Sequence, residues 1–355
     1  MMQSRTVAVT GASGFVGRSV VGEMIARGWR VRGLARDLHD VKELDRRVRE
    51  IASEVGAARA LPGGGQVDWF AGDVCDAGAL DQLCRGADSV VHLVGIIREA
   101  RGDEGGAGAG GGGRPQTFER MHIRATEAAI EAGKRASVKR YVHMSALGVG
   151  AEGRAAYQKT KWAAEQAVRR SGLDWTIFRP ALIHGQDSEF VAMLAELASG
   201  EKPPFFFIPY FVRAEEDRRV PMRFGDWTPA KVQPVAVEDV AYAFAESLVR
   251  DESIGEVYNL AGSEVLDWRT LSETIRDVVP GTNKKMGTWF VPGEHAAAAA
   301  RVAKSLGLGG LLPFDEGQAL MAIEDSVADC SKAEADLGFT PRDFTGTLAR
   351  YAGSI

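Results

Sequence analysis

A glycine-spaced turn near the start of the chain constrains the fold more than any other feature. The segment 6–18 reads TVAVTGASGFVGR, and it opens with a short, β-branched apolar run typical of a buried parallel strand. Gly11, Gly14 and Gly17 follow at three-residue spacing, and apolar residues then recur at helical spacing. The pattern predicts a strand, a tight turn and a helix, which is how many α/β folds begin.

Such a turn aims unpaired backbone N–H groups at one point, where a pyrophosphate is held with help from the helix dipole. Gly11 permits the tight turn, Gly14 lets the backbone approach the phosphates, and Gly17 lets the helix pack on the strand. The segment therefore predicts a dinucleotide site, and a merely structural turn is the alternative. The residues expected to contact the cofactor here are Gly11, Ser13, Gly14, Phe15, Val16, Gly17 and Arg18.

Composition narrows the class of protein. The chain has 355 residues, of which 45% are hydrophobic and 26% charged, as is ordinary for a globular protein with a large core. Its net charge of -5 gives no reason to expect a nucleic-acid partner. The three cysteines lack metal-ligand spacing, so we expect free thiols, a reducing compartment and no metal site. No signal peptide or membrane-spanning run is visible, which predicts a cytoplasmic protein and leaves peripheral membrane contact open.

Strand-like and helix-like segments alternate through the first half of the chain. This alternation predicts an α/β fold: a Rossmann-type, doubly wound parallel sheet with helices on both faces and a ligand beyond the carboxyl ends of the strands. The predicted strands are 6–10, 30–34, 68–70, 89–93, 140–144, 175–178 and 257–261, and the predicted helices include 117–133 and 157–171.

The regular pattern weakens after Pro180, and this sets the expected domain boundaries. We expect a nucleotide-binding domain over 1–180, to which 228–262 returns, and a smaller, helix-rich C-terminal lobe from 181–227 and 263–355. Glycine fills most of 102–113, which predicts a flexible surface insertion because so little apolar surface is available to order it.

Tyr157 and Lys161 are four residues apart on a predicted helix and so share one face. A nearby ammonium favours phenolate and lowers a phenol pKa that starts at about 10. The phenol could then exchange a proton with a substrate oxygen near neutral pH, while the lysine bonds a ribose hydroxyl. The alternative is an exposed Tyr and Lys on a helix surface.

Several motifs together resemble the short-chain dehydrogenase/reductase superfamily, in its extended or atypical branch. They are TGASGFVG, the acidic turn Asp73-Val74, HLVG at 92–95, YQKTK at 157–161, FRPALIHG at 178–185, PVAVEDVA at 234–241 and VYNLAG at 257–262. The resemblance covers the chain to about residue 280. HLVGII, HMSALG and FRPALIHG are most similar to the nucleotide-binding accessory subunit of respiratory complex I and its bacterial relatives.

The resemblance implies roles for further residues. Asp73 corresponds to the acid that contacts the adenine amine, with Val74 packed on the ring; a helix-capping role for Asp73 is the alternative. Val94, Gly95 and Pro180 lie in motifs whose equivalents contact the cofactor.

The chain departs from the family pattern at two catalytic positions. The place of the family's catalytic serine holds Ala146, and Ser145 precedes it, so its hydroxyl is expected to aim at backbone rather than substrate. His122 stands where the family often has Asn. Ser145 is thus a weaker candidate than Tyr157 and Lys161 for a catalytic residue.

The end of the second strand indicates which cofactor is bound. NAD-specific relatives place an acid there, whereas this chain has Ala35 followed by Arg36. An arginine can hold a 2′-phosphate through paired charge-assisted bonds, with Arg18 assisting, so we expect NADP(H) rather than NAD(H). A solvated loop charge is the alternative for Arg36.

Two other groups of residues are interpreted more simply. His92, His143 and His184 lie at or beside predicted strand ends without metal-ligand spacing, so we expect packed histidines. The aromatic run 205–207 is expected in the core of the lobe, with an apolar substrate pocket or a membrane contact as alternatives.

Two functions remain open from the sequence. The first is an NADPH-dependent oxidoreductase in which Tyr157 is the acid/base, Lys161 tunes it, and the lobe closes over an unidentified small-molecule substrate. The second is an NADPH-binding structural or assembly subunit with little or no turnover, peripheral to a membrane or a larger complex. Ala146 favours the second, and the Tyr157–Lys161 pair favours the first.

Overall fold

The computed structural model describes residues 5–100, 115–214, 227–306, 312 and 314–355. The predicted insertion 102–113 lies outside the described residues. The strands are β1 Thr6–Thr10, β2 Arg30–Ala35, β3 Gln66–Ala71, β4 Ser89–His92, β5 Arg140–Met144, β6 Asp174–Pro180, β7 Ile183–His184, β8 Phe207–Ala214, β9 Trp227–Pro229, β10 Lys231–Val232, β11 Val235–Ala236, β12 Glu256–Leu260, β13 Leu266–Asp267 and β14 Gly287–Pro292.

Helices connect the strands, most of them on one or the other face of the large sheet. They are α1 Phe15–Ala26, α2 Val41–Arg59, α3 Ala77–Cys84, α4 Ala125–Arg135, α5 Ala156–Arg169, α6 Glu189–Ser199, α7 Val237–Ser247, α8 Trp268–Val278, α9 Gly293–Ser305, α10 Glu316–Met321, α11 Ser331–Leu337 and α12 Phe344–Tyr351. A π-helical turn, Glu119–Arg124, runs directly into α4.

The central feature is a seven-stranded sheet in the order β12-β6-β5-β4-β1-β2-β3. Every pairing in it is parallel. The order reverses beside β1, where β2 lies on one side and β4 on the other, so this is the switch point at which open α/β sheets bind ligands. The predicted doubly wound Rossmann fold is confirmed, and β12 forms one edge of the sheet beside β6.

The core lies on both faces of this sheet because successive side chains of each strand point in opposite directions. Val7 and Val9 of β1 join one cluster with α1 and α7. Ala8 joins the other cluster with α3 and α4. Strands buried on both faces read as continuous apolar runs, which is why 6–10 was recognisable as a strand.

The C-terminal region is helix-rich and carries smaller sheets. β14, β8 and β9 form a three-stranded sheet, while β7 pairs with β11 and β10 with β13. One apolar cluster joins α6, α8 and α12 through Leu194, Ile275 and Phe344. Another joins α9 and α10. α11 instead packs against the central sheet, where Leu337 is fully buried.

Candidate functional site

The glycine turn has the conformation that a phosphate-binding loop needs. Gly11 has φ 73°, which a side chain would strain. Gly14 is the N-cap of α1, with no side chain bonded to the first turn, so the N–H groups there stay available. A Cβ on Gly17 would lie 2.0 Å from the Gly11 carbonyl oxygen, so only glycine lets α1 sit this close to the turn.

Arg18 is held by protein groups in this structure. Its Nη1 donates to the Ser13 carbonyl oxygen over 2.8 Å, and its Nη2 lies 3.0 Å from Asp187 Oδ2. Arg36, directly after β2, is exposed and forms no ion pair with a described residue. Of the two arginines, Arg36 is therefore the one whose charge is immediately available to an anion.

Asp73 is engaged from two sides. Its Oδ1 accepts from the Cys75 N–H over 2.8 Å, and its Oδ2 pairs with Arg120 of the π-helical turn. The alternative of a helix cap is wrong, because Asp76 caps α3 by accepting from the Ala79 N–H. Val74 next to it is buried among the apolar residues of the α3–α4 face.

Gly95 brings the loop after β4 against the lysine of α5. A Cβ there would lie 2.8 Å from Lys161 Nζ and 3.8 Å from His122 Nε2. Lys161 Nζ donates to the Met144 carbonyl oxygen at the end of β5 over 3.0 Å. The carboxyl ends of β4 and β5 thus meet around this ammonium, with Val94 one residue before Gly95. Pro180, which ends β6, is buried and accepts from the Leu147 N–H over 2.9 Å.

Tyr157 sits among aromatic edges one turn before Lys161. Its ring makes T-shaped contacts with His122, at 5.3 Å between centroids, and with Phe118, at 6.0 Å. His122 is fixed by Thr160 Oγ1, 2.9 Å from Nδ1, and by the Ile96 carbonyl oxygen, 3.0 Å from Nε2. The sequence noted His122 only as a departure from a family pattern and missed this contact, because nothing in the local spacing indicates the π-helical turn that carries it.

The pKa expected for Tyr157 is wrong in direction. Desolvation raises the pKa of its phenol to about 12, and no lowering by Lys161 is apparent. Burial instead lowers the pKa of Lys161 to about 8, with the Glu165 charge acting in the opposite direction. Burial also lowers the pKa of His122 to about 3, with the Lys161 charge adding to the effect, so that its imidazole is neutral at pH 7. The four-residue spacing placed both groups on one helix face, but it did not indicate how strongly desolvation acts on each of them.

Ser145 also differs from expectation. Its backbone N–H donates to the Phe178 carbonyl oxygen over 2.7 Å, but its buried hydroxyl has no hydrogen-bond partner among the described residues. From the sequence we expected this hydroxyl to bond the backbone, and the structure shows no such bond to a described residue. An unpaired buried hydroxyl next to Met144, the residue that holds Lys161, is free to bond a ligand.

The histidines are packed, as expected. His92 is bonded to Thr10 Oγ1 over 2.7 Å and stacks on His143 at 5.6 Å between ring centroids. His184 lies 3.0 Å from the Tyr351 hydroxyl. No cluster of metal-ligating side chains occurs in the part of the chain that the structure describes.

The aromatic run 205–207 is the clearest correction. Phe206 is 85% exposed and Phe205 50% exposed, so the expectation that they form the core of the lobe is wrong.

A cavity of about 250 Å³, lined by Arg59, Tyr242 and Arg342 among others, lies apart from every predicted site residue. Within the described ranges, no helix has the length and apolarity needed to cross a membrane.

Comparison with known proteins gives a family match and several relatives. A family model described as NAD(P)H-binding matches residues 11–200, more than half of the chain. The chain is 31% identical to ceramide reductase of Caulobacter vibrioides, over 54% of this chain and 51% of that protein. It is 26% identical to mitochondrial NADH dehydrogenase (ubiquinone) 1 alpha subcomplex subunit 9 of Arabidopsis thaliana, over 76% and 57%. The chain thus spans about half the length of these two relatives.

A further relative and two solved structures cover nearly the whole chain. The 4-hydroxy-2-methyl-3-oxo-4-farnesyl-3,4-dihydroquinoline-1-oxide ketoreductase of Stigmatella aurantiaca is 25% identical over 94% of this chain and 91% of that protein. The structure of gox2253 matches with a TM-score of 0.64 at 21% identity, over 98% and 96% of the two chains. UDP-glucose 4-epimerase of Thermotoga maritima matches with a TM-score of 0.64 at 16% identity, over 98% and 97%.

The structural likenesses establish the fold, and the family match establishes the kind of ligand. The chain belongs to the NAD(P)H-binding family and has the Rossmann fold of the extended short-chain dehydrogenases/reductases and epimerases.

Proposed function

We propose that the protein is an NADPH-dependent oxidoreductase that reduces a carbonyl group, with Tyr157 as its acid/base. The observation that carries this is the arrangement at the carboxyl ends of β4 and β5. Lys161 of α5 bonds Met144, Ser145 keeps an unpaired hydroxyl beside it, and Tyr157 lies one turn away on the same helix.

The residues present fit a dinucleotide. Gly11 and Gly17 let the turn pack closely on the segment after β4 and on α1, where a side chain would meet backbone, and the uncapped first turn of α1 offers N–H groups to a pyrophosphate. The backbone of Gly95 lies open beside Lys161 Nζ, which supports contact between that ammonium and a ribose hydroxyl. When bound, the reduced cofactor supplies a hydride to the carbonyl carbon.

The chain's own residues handle the proton. At neutral pH the phenol of Tyr157, with a pKa raised to about 12, carries its proton and can donate it to the substrate oxygen. Lys161, mostly charged below its pKa of about 8, lies one turn further along α5 and bonds a ribose hydroxyl of the cofactor. The hydroxyl of Ser145 bonds the same oxygen and orients it.

The preference for NADPH rests on Arg36. It is exposed and directly follows β2, and Ala35 before it stands where NAD-specific relatives have an acid that would repel a 2′-phosphate. A charge-assisted bond is worth about 1.5–3 kcal/mol, so we expect NADPH to bind roughly 10- to 100-fold tighter than NADH.

An apolar substrate is the best match. Phe118 presents its ring to Tyr157, and the relatives named above include a ceramide reductase and a ketoreductase of a farnesylated dihydroquinoline oxide. Both names describe a polar group on a long apolar body. We therefore propose a ketone or aldehyde attached to such a body.

The test compares Tyr157→Phe with the matched variant Tyr242→Phe, whose hydroxyl donates to the Leu337 carbonyl oxygen over 3.4 Å and contacts none of the proposed site residues in the described structure. NADPH consumption is measured with a panel of apolar ketones, aldehydes and nucleotide sugars, and NADPH affinity by calorimetry. We expect Tyr157→Phe to lose at least ~100-fold in turnover with nearly unchanged affinity, and Tyr242→Phe to lose neither. Turnover that survives in Tyr157→Phe contradicts the role of the phenol.

A second candidate is an NADPH-binding subunit of a larger assembly with little turnover. Ala146, at the place of the family's serine, and the similarity to the NADH dehydrogenase subunit favour it. In that case NADPH stabilises the fold by mass action, no substrate of the panel oxidises it, and Tyr157→Phe changes nothing measurable.

A further inference from the structure

One carboxylate binds two arginines beside the phosphate-binding loop. Asp187 Oδ2 lies 3.0 Å from Arg18 Nη2 and 3.5 Å from Arg47 Nε. Arg18 belongs to the first turn of α1, and Arg47 to α2, which packs along α1. Two guanidinium groups from the two helices that follow β1 and β2 therefore meet at a single oxygen atom.

Asp187 comes from the segment that connects the central sheet to the lobe. It follows β7 and precedes Ser188, which caps α6 by accepting from the Val191 N–H over 3.4 Å. The same segment lies on the glycine turn, because a Cβ on Gly185 would be 3.3 Å from the ring of Phe15. Asp187 is thus placed against the cofactor loop by packing as well as by charge.

The three side chains are reachable from solvent. Their exposed fractions are 23% for Arg18, 20% for Arg47 and 33% for Asp187. An ion pair this exposed is worth at most about 1 kcal/mol, whereas a phosphate offers more charge and more acceptor oxygens to the same donors. A phosphate that arrives at this point can therefore displace the carboxylate.

We propose that Asp187 is an internal competitor for a cofactor phosphate, and that dinucleotide binding transfers Arg18 and Arg47 from Asp187 to that phosphate. The inference rests on the proposed cofactor site and adds Arg47 and Asp187 to it. Release of Asp187 loosens the segment before α6, so occupancy of the cofactor site is coupled to the attachment of the lobe, and the coupling is reciprocal.

The experiment measures the affinity of the full chain for NADPH and NADH by calorimetry, with wild type and Asp187→Asn. The amide keeps the shape but removes the competing charge, so we expect NADPH to bind about 3- to 10-fold tighter. Asp45→Asn is the matched control, since Asp45 pairs with Arg49 on α2 and contacts neither Arg18 nor Arg47 in the structure. It makes the same change in net charge and should leave affinity unchanged.

The two cofactors identify which phosphate is involved. A gain for NADPH alone assigns the arginines to the 2′-phosphate, and an equal gain for both cofactors assigns them to the pyrophosphate. In an Arg18→Ala background, Asp187→Asn should raise NADPH affinity less, because one of the two arginines for which Asp187 competes is absent.

Other results overturn the proposal. Unchanged or weaker NADPH binding by Asp187→Asn, with wild type binding normally, shows that Asp187 does not compete and leaves the proposed function intact. If Asp187→Asn raises NADPH affinity equally in wild type and in the Arg18→Ala background, the gain is a general charge effect. That result also overturns the competition and leaves the proposed function intact. Wild type that fails to bind NADPH overturns the proposed function itself.

Discussion

The central sheet and the C-terminal lobe bury their aromatic residues very differently. Phe178 of β6 is fully buried and packs on Phe244 at 4.6 Å between ring centroids. Phe206 and Trp289, beside and within the three-stranded sheet of the lobe, are 85% and 61% exposed. The sheet half is closed by helices on both faces, whereas the lobe leaves aromatic surface uncovered. The candidate cofactor site thus lies on the closely packed part of the molecule, and the C-terminal region carries the exposed apolar surface.

The largest expected effect is on the free energy of unfolding, and it tests this contrast by replacing a phenylalanine with alanine in each of the two regions. Phe178→Ala removes a ring from a tightly packed core and should lower the free energy of unfolding by about 3–5 kcal/mol. Phe206→Ala removes a ring that is mostly in water, so the change should stay within about 0.5 kcal/mol. Urea denaturation of the two variants measures both. A substantial loss from Phe206→Ala would mean that this ring is covered in solution.

The second prediction concerns the buried ammonium group of Lys161, on a helix that packs against the central sheet. Lys161 has a pKa of about 8 when folded against 10.5 when unfolded. Below pH 8 both states carry the proton, and the folded state bears the burial penalty. Between pH 8 and 10.5 the folded state releases its proton first, so this group raises the free energy of unfolding as pH rises. The full change is on the order of 3 kcal/mol.

Lys161→Met removes the penalty and should make the apo protein more stable than wild type at pH 7. The difference should shrink as the pH approaches 10.5. Lys159→Met, on the exposed side of the same helix, is the control and should be nearly neutral. Denaturation curves from pH 7 to 10 measure the stability of the two variants and of wild type. If Lys161→Met is less stable than wild type at pH 7, that result contradicts the burial argument.

The fold could be predicted because its signals are local. The run before Gly11 and the spacing of Gly14 and Gly17 specify strand, turn and helix within a short stretch, and parallel strands buried on both faces show as apolar runs. Tyr157 and Lys161 were recognisable for the same reason, since their relation is a helical period.

The parts of the candidate site that the sequence did not indicate depend on contacts between distant segments. Asp187 meets Arg18 across 169 positions of sequence, and Arg120 meets Asp73 across 47, so no spacing indicates either pair. The exposure of Phe206 was missed because an aromatic run says that apolar surface exists, not that another element covers it. The pKa of Tyr157 was misjudged because its desolvation depends on the whole surrounding fold.

The smallest predicted effect concerns His143, at the centre of the sheet. Both ring nitrogens of His143 are buried and have no hydrogen-bond partner among the described residues. Burial, with the nearby His92 and Lys161, lowers its pKa well below 6.5. The folded protein therefore keeps this imidazole neutral at a pH where the unfolded chain binds a proton, and stability falls as pH drops below 6.5.

His143→Leu fills a similar volume without leaving polar atoms unpaired. We expect the free energy of unfolding to rise by about 1 kcal/mol at pH 7. Below pH 6 the free energy of unfolding of His143→Leu should fall with decreasing pH less steeply than that of wild type, by about 1.4 kcal/mol per pH unit, the contribution of one proton. His39→Leu, at an exposed loop position, controls for the loss of a histidine as such. Denaturation at pH 7, 6 and 5 measures both quantities. Equal slopes for wild type and His143→Leu would show that water or another group reaches this imidazole, and the sheet half would then be less closed than its packing indicates.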